Sequence, residues 1–174
     1  MSGWWRQETP IGPITVVAGP RGIAAISWST DDDELAMMAR TLDAPSRRDR
    51  VVAAALDEWF AGTRKELDVD VDPGSLPEAP FAREVLLTLR REVGWGELVT
   101  YGELAELAGR PGAARAVGTA MAHNPVPFVF PCHRVIAAGG KLGGYGGTKH
   151  GTTRNLGIKR WLLAHEGVML FDDH

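Results

Sequence analysis

The sequence predicts an α+β fold in two parts: a small mixed half over residues 1 to 80, and a mainly helical half over 81 to 174 that carries a helix-turn-helix. Three observations predict it. Apolar residues alternate with polar ones in the first half, Ile14, Val16 and Ala18 among them, which is the period of a strand with one buried face. Beyond residue 80 they recur at the spacing of a helix, as in Phe81, Val85 and Leu89. Turn formers (Pro73, Gly74, Ser75, Pro77, Pro80) cluster where one regime gives way to the other.

A chain of 174 residues, 44% hydrophobic and 24% charged, has globular composition and enough length to bury a core. No apolar run approaches the roughly 20 residues of a membrane span, and the start, MSGWWRQETP, has no basic segment followed by an apolar one. The expectation is a soluble, cytoplasmic protein without membrane association. A single cysteine excludes an internal disulfide and leaves too few ligands for a Cys-based zinc site, so neither metal nor cofactor is expected. Residues 1 to 80 hold 8 basic against 14 acidic side chains, net −6, while 81 to 174 hold 11 against 8, net +3. That asymmetry suits an acidic support domain beside one that meets a polyanion.

In chain order, Ile14 to Ala18, a Gly-Pro-Arg-Gly turn at 19 to 22 and Ile23 to Trp28 read as a β-hairpin. Residues 67 to 72 alternate strictly and predict a further strand. Two helices lie between. The better one runs from about Asp49 to Phe60, with Val52, Leu56, Trp59 and Phe60 on one side and Gly62 as its stop. In the second half, Phe81, Val85, Leu89 and Val93 mark a core helix. Thr100 with Glu103 forms a capping box opening a short helix through Leu104 and Leu107 that stops at Gly109. After a Pro111-Gly112 turn, residues 113 to 122 make a second short helix, which completes the helix-turn-helix. Ile158, Trp161 and Leu162 mark a last helix ending at His165, Glu166 and Gly167.

The chemistry-bearing residues lie in the second half. The helix over 113 to 122 has almost only small side chains, with Arg115 the one long polar residue near its start. A stripped helix fits the minor groove of DNA, roughly 6 Å wide, but close helix packing explains small residues equally well. A cation at a helix start opposes the macrodipole, so Arg115 calls for an anionic or nucleobase partner. The prolines at 125, 127 and 131 hold an apolar segment rigid and deliver Cys132 at its end. A lone cysteine is usually a small buried hydrophobe; here His133 and Arg134 can favour its thiolate. Neighbours in an extended strand point to opposite faces, so either the chain bends at Pro131 or a water links Cys132 to His133. Residues 139 to 147 are rich in glycine around Tyr145 but match no phosphate-binding spacing; they suit a pocket wall for a flat ligand, or a flexible turn. Glu166 at a helix end is disfavoured by the dipole and calls for an imidazolium or arginine partner unless it is merely solvated.

The PCHRV at 131 to 135, the NPVP at 124 to 127, and the TYGELAELAG and AARAVG segments before them resemble the O6-alkylguanine-DNA alkyltransferases. The likeness runs from about Phe81 to Gly167 and more faintly through TPIGPITVVA at 9 to 18. It implies a ribonuclease-H-like N-terminal domain followed by a catalytic and DNA-binding domain. It also implies one-time transfer of an alkyl group from O6 of a flipped guanine to Cys132. By the same resemblance His133 is the water-linked base, Glu166 orients it, and Asn124 braces the turn before the cysteine. Arg115 fills the gap left in the duplex, with Ala114 and Thr119 beside it on the DNA-facing helix. Tyr101 presses on the target phosphate and hydrogen-bonds the base, and Met121, Val135, Tyr145 and Gly146 line the guanine pocket. The implied partner is double-stranded DNA carrying O6-alkylguanine, with O4-alkylthymine as a further substrate, bound by a monomer or by copies acting cooperatively. The chain departs from the family in a longer stretch between Tyr145 and Lys159, where Lys149, His150 and Arg154 are placed to meet phosphate. It also lacks the cysteines of the N-terminal zinc site found in some relatives.

Two other functions fit parts of the pattern. A non-enzymatic alkyltransferase-like protein would bind lesions and recruit repair factors, but such relatives lack the acceptor thiol. A thiol hydrolase using Cys132 with His123 or His165 leaves the small-residue helix unexplained.

Overall fold

The computed structural model describes residues 3–41, 45–146 and 152–170. The chain forms two compact units, one of residues 1–76 with 125–129, the other of 77–124 with 130–174.

The first unit is built on an antiparallel meander of β1 (Gly3–Gln7), β2 (Ile14–Gly19) and β3 (Gly22–Ser27), with β2 central. The hairpin read from the sequence is β2 and β3; β1, which lacks clean alternation, was not anticipated. Gly22 cannot be replaced cheaply, because its φ is +124° and a Cβ there would collide with the Asp70 backbone. Helix α1 (Asp32–Thr41) precedes α2 (Arg50–Ala61). The Asp49 carboxylate caps α2, accepting from the N–H groups of Val51 and Val52 at 3.0 and 3.1 Å. Gly62 ends it in the left-handed conformation. Leu56, Trp59 and Phe60 of α2 are buried along with Trp5, Ile14 and Val16 of the sheet.

The strand expected over 67 to 72 is absent. The segment does alternate, with Leu67 buried and Asp68 and Asp70 exposed, but its only ladder contact is a parallel bridge between Val71 and Ile23. Asp70 and Asp72 exchange backbone hydrogen bonds with Ile23 at 2.8 Å each, and the chain then turns at Pro73.

In the second unit, α3 (Pro80–Glu92) opens on Pro80 and buries Val85, Leu86, Thr88 and Leu89. The two-residue β4 (Val99–Thr100) pairs parallel with β5 (Val135–Ile136) and leads directly into α4 (Tyr101–Leu107). The capping box is present, Thr100 Oγ1 accepting from the Glu103 N–H at 3.1 Å while Glu103 accepts from the Thr100 N–H at 3.3 Å. Leu104 is fully buried, whereas Leu107, at the end of the helix, is exposed. A turn through Gly109 and Gly112 joins α4 to α5 (Ala114–Ala122), and α3, α4 and α5 pack on one another. The last helix, α6 (Thr152–His165), begins well before the Ile158 expected from the pattern.

Candidate active site and DNA-binding face

The bend that would free Cys132 from its strand neighbours is there. Pro131 lies at φ −79° and ψ 67°, an inverse γ-turn closed by the Cys132 N–H on the Phe130 carbonyl at 2.7 Å. Residues Cys132–Arg134 then form a 3-10 turn, with the Arg134 N–H on the Pro131 carbonyl at 2.9 Å. Asn124 spans the approach, its Nδ2 donating to the same Phe130 carbonyl at 2.8 Å.

The turn directs His133 and Arg134 onto one carboxylate. Glu166, just past the end of α6, accepts from His133 Nε2 at 2.7 Å and from Arg134 Nε at 2.7 Å, so the arginine partner its position called for is on it, together with an imidazole. The Gly96 N–H approaches the same carboxylate at 3.4 Å, and Arg134 Nη1 donates to the Val93 carbonyl at 2.8 Å. All three side chains are buried. Burial pushes the Glu166 carboxyl up, but the hydrogen bonds and charges of His133 and Arg134 outweigh it and hold the group below its ordinary value. His133 is lowered by burial despite Glu166, which keeps the imidazole neutral near pH 7. With an ionised acceptor at Nε2, that nitrogen carries the proton and Nδ1 the basic lone pair.

Arg134 therefore does not serve the thiol as the sequence reading had it. The groups that act on Cys132 are Asn124, Lys159 and Tyr145. Burial pushes the thiol up, while the Asn124 hydrogen bond, the Lys159 charge and the Tyr145 hydroxyl draw it down, in that order. Lys159 is fully buried on α6. Its ammonium donates to the carbonyls of Val135 and Leu142 at 2.6 Å and of Gly144 at 2.9 Å, and burial lowers it to about 8. Sequence reasoning missed this residue.

Val135 and Tyr145 are buried, as is Met121 on α5, and Gly146 is half-buried. Burial, and then the neighbouring Cys132, push the Tyr145 hydroxyl well up, so it stays protonated. Tyr101, at the head of α4, lies over Gly143, where a Cβ would come within 3.0 Å of its hydroxyl. That hydroxyl reaches the Gly144 carbonyl at 3.5 Å and is also raised by burial.

On α5, Val117, Ala120 and Met121 face inward. Arg115, Thr119 and Ala122 are exposed, with Ala114 and Gly118 half-buried. A Cβ on Gly118 would meet nothing within 4 Å. Internal packing therefore does not require a glycine there, which weighs against close helix packing as the reason for the small residues.

His123 and His165 are engaged elsewhere: Nδ1 of His123 meets the Thr119 carbonyl at 2.9 Å, and His165 stacks on Trp161 with ring centroids 4.7 Å apart. Lys149 and His150 lie outside the described residues, and Arg154 stands on α6 rather than in a loop. Among the described residues no three His, Cys, Asp or Glu side chains could hold a metal ion, and no helix is long and apolar enough to cross a membrane.

Comparison with known proteins fits this geometry. The family model of the 6-O-methylguanine DNA methyltransferase DNA-binding domain matches residues 80–168, and that of the ribonuclease-like domain of the same proteins matches 7–73. The chain belongs to the 6-O-methylguanine DNA methyltransferase family. Within it, the chain is 46% identical to a methylated-DNA–protein-cysteine methyltransferase of Mycolicibacterium paratuberculosis, over 91% of this chain and 88% of the relative. It is 39% identical to the protein of that name from Shigella flexneri, over 93% and 94%. The Mycobacterium tuberculosis protein OGT, solved in complex with DNA, superposes with a TM-score of 0.77 at 34% identity, covering 95% of this chain and 93% of that one. The α+β fold expected from the sequence is thus the fold of this family.

Proposed function

We propose that this protein repairs O6-alkylguanine in double-stranded DNA by moving the alkyl group to Cys132 in one irreversible step. The observation that supports this most is the buried Cys132 under the joint pull of Asn124, Lys159 and Tyr145, beside a neutral His133 whose outer nitrogen is tied to Glu166.

A base inside a duplex is out of reach of a buried thiol, so the lesion must be flipped out, and an alkylated guanine is already weakly paired. Arg115, exposed near the start of α5, is the residue we place in the gap, with Ala114 and Thr119 along the same helix against the groove. Tyr101 meets the target phosphate and the base edge, and Met121, Val135, Tyr145 and Gly146 enclose the guanine.

Cys132 gives up its proton toward Nδ1 of His133 through a water, and Glu166 stabilises the imidazolium that forms. The sulfur attacks the alkyl carbon, the S–C bond forms as the C–O6 bond breaks, and the electron pair leaves on O6. Tyr101 or Tyr145 donates a hydrogen bond to the departing guanine. Lys159, charged at neutral pH, favours the thiolate during the attack. The thioether has no reversing group nearby, so each molecule acts once.

Peptide mapping after reaction with a duplex containing O6-methylguanine tests the assignment: the methyl group is expected on the Cys132 peptide alone. A methyl group on any other residue, or none, refutes it.

A further inference from the structure

Between Asn124 and Phe130 the chain leaves the second unit, and Pro125–Val129 are built into the first. The Ile26 N–H of β3 donates to the Pro125 carbonyl at 3.0 Å. Phe128, 2% exposed, sets its ring against Trp28, Trp59 and Phe60, with centroids 6.1, 5.6 and 5.3 Å away. Its backbone stands at φ 74°, the only non-glycine residue in the left-handed region among the described residues.

A bulky L-residue adopts that conformation only where its surroundings over-determine it. Glycine would make the same bend without strain, so a turn alone does not account for Phe128. What glycine cannot supply is the ring and the aromatic contacts that hold it. On either side of the bend stand the ends of a clasp: Asn124 Nδ2 donates to the Phe130 carbonyl, which also accepts the Cys132 N–H. Asn124 is the group drawing most strongly on the thiol against burial. Whatever fixes the path from 125 to 129 therefore fixes where Asn124 and the Cys132 turn meet.

We propose that Phe128 is a positioning residue for the reaction at Cys132: caged by Trp28, Trp59 and Phe60, it locks the left-handed bend that closes the Asn124–Phe130 clasp. The inference rests on Cys132 being the alkyl acceptor.

The test compares Phe128→Ala, Phe128→Gly and Phe128→Leu in the full chain. The single-turnover constant on an O6-methylguanine duplex and the pH profile of Cys132 alkylation by iodoacetamide are measured for each. Phe128→Ala should slow transfer by roughly tenfold or more, because small misplacements at a reacting centre are expensive. It should also move the iodoacetamide profile to higher pH as the Asn124 hydrogen bond to sulfur loosens, with affinity for undamaged duplex little changed. Phe128→Leu, which refills the cage, should recover most of both. Phe128→Gly relieves the strain without restoring the ring and should resemble Ala. Should Phe128→Ala fail to fold, Trp28→Leu opens the cage from its other wall and is expected to shift both readouts in the same direction. Wild-type behaviour of the Gly variant, or an unchanged rate and profile in the Ala variant, overturns the proposal. If the wild type transfers no alkyl group at all, the functional reading fails separately, and the iodoacetamide profiles still decide the role of Phe128.

Discussion

The two units bury polar groups in different ways. In the first, the buried polar network centres on a neutral amide, Gln7, whose Nε2 donates to the Ala53 carbonyl at 3.0 Å and to Asp57 at 2.6 Å while its Oε1 accepts from Trp5 Nε1 at 2.9 Å. The first unit's ion pairs, such as Arg64 with Glu58 and Asp68, stand in solvent and contribute little. The second unit buries His133, Arg134, Lys159 and Glu166 together. Charge inside a protein is costly unless it is paired and fully hydrogen-bonded. A fold needing only a core would do as the first unit does, so the concentration of buried charge around the cysteine marks where chemistry rather than stability set the sequence.

The largest effect is expected from Cys132→Ala, which removes the group around which the buried charges of the second unit are gathered. It should abolish alkyl transfer while preserving the fold, since loss of one small thiol removes little apolar area, and alkylated duplex should still be held in preference to undamaged duplex. Residual removal of methyl groups from DNA by this variant would place the acceptor elsewhere.

Glu166→Gln comes next, because it leaves Arg134 buried against a neutral amide. Breaking a buried pair costs about 3–5 kcal/mol, and transfer should slow as His133 loses its anchor. The pH dependence has a definite sign. The Glu166 carboxyl sits below its ordinary 4.5 when folded, so its stabilisation is complete above that pH and fades as pH falls through the folded value. Urea midpoints of wild type and Glu166→Gln should therefore lie far apart at pH 7 and draw together below pH 4.5. A gap independent of pH would mean that the carboxylate charge is not what stabilises the cluster.

Arg115→Ala should weaken repair in a duplex by roughly tenfold or more while barely touching reaction with free O6-benzylguanine, since a wedge matters only where a helix must be held open. Equal losses on both substrates would remove Arg115 from that role.

Lys159→Met should have the mildest effect and the most particular pH signature. Without the ammonium the Cys132 thiol moves further up, and alkylation by iodoacetamide should slow by roughly tenfold at neutral pH, the equivalent of about one pKa unit. In the wild type Lys159 itself loses its proton near pH 8, so the two profiles should converge above that pH. Parallel profiles throughout would show that the lysine acts only as a structural strut.

Much of this was legible in the sequence because the signals are local. Thr100 and Glu103 cap α4 through groups three residues apart, Gly62 ends α2 by its own backbone, and Pro131 bends the chain next to the cysteine. What escaped depends on distant partners. The alternation over 67 to 72 anticipated the exposure of Asp68 and Asp70 and the burial of Leu67, but ladder formation depends on a neighbouring strand, and only Val71 meets one. Arg134 was placed beside the thiol by sequence proximity, whereas the turn carries it to Glu166, 32 residues on. Lys159 did leave a trace: with Asn155, Ile158, Leu162 and Leu163 it occupies the buried stripe of α6 at helical spacing. A lysine in such a stripe is normally assigned to the surface, and here the carbonyls of Val135, Leu142 and Gly144 make the exception.

Cys132 is expected to accept one alkyl group and then to be spent. Intact mass of the wild-type protein, followed over time with a large excess of O6-methylguanine duplex, decides the point. The mass should rise by a single methyl group, after which neither it nor the amount of repaired DNA changes. Repair of many equivalents of lesion with the protein mass unaltered would contradict this expectation.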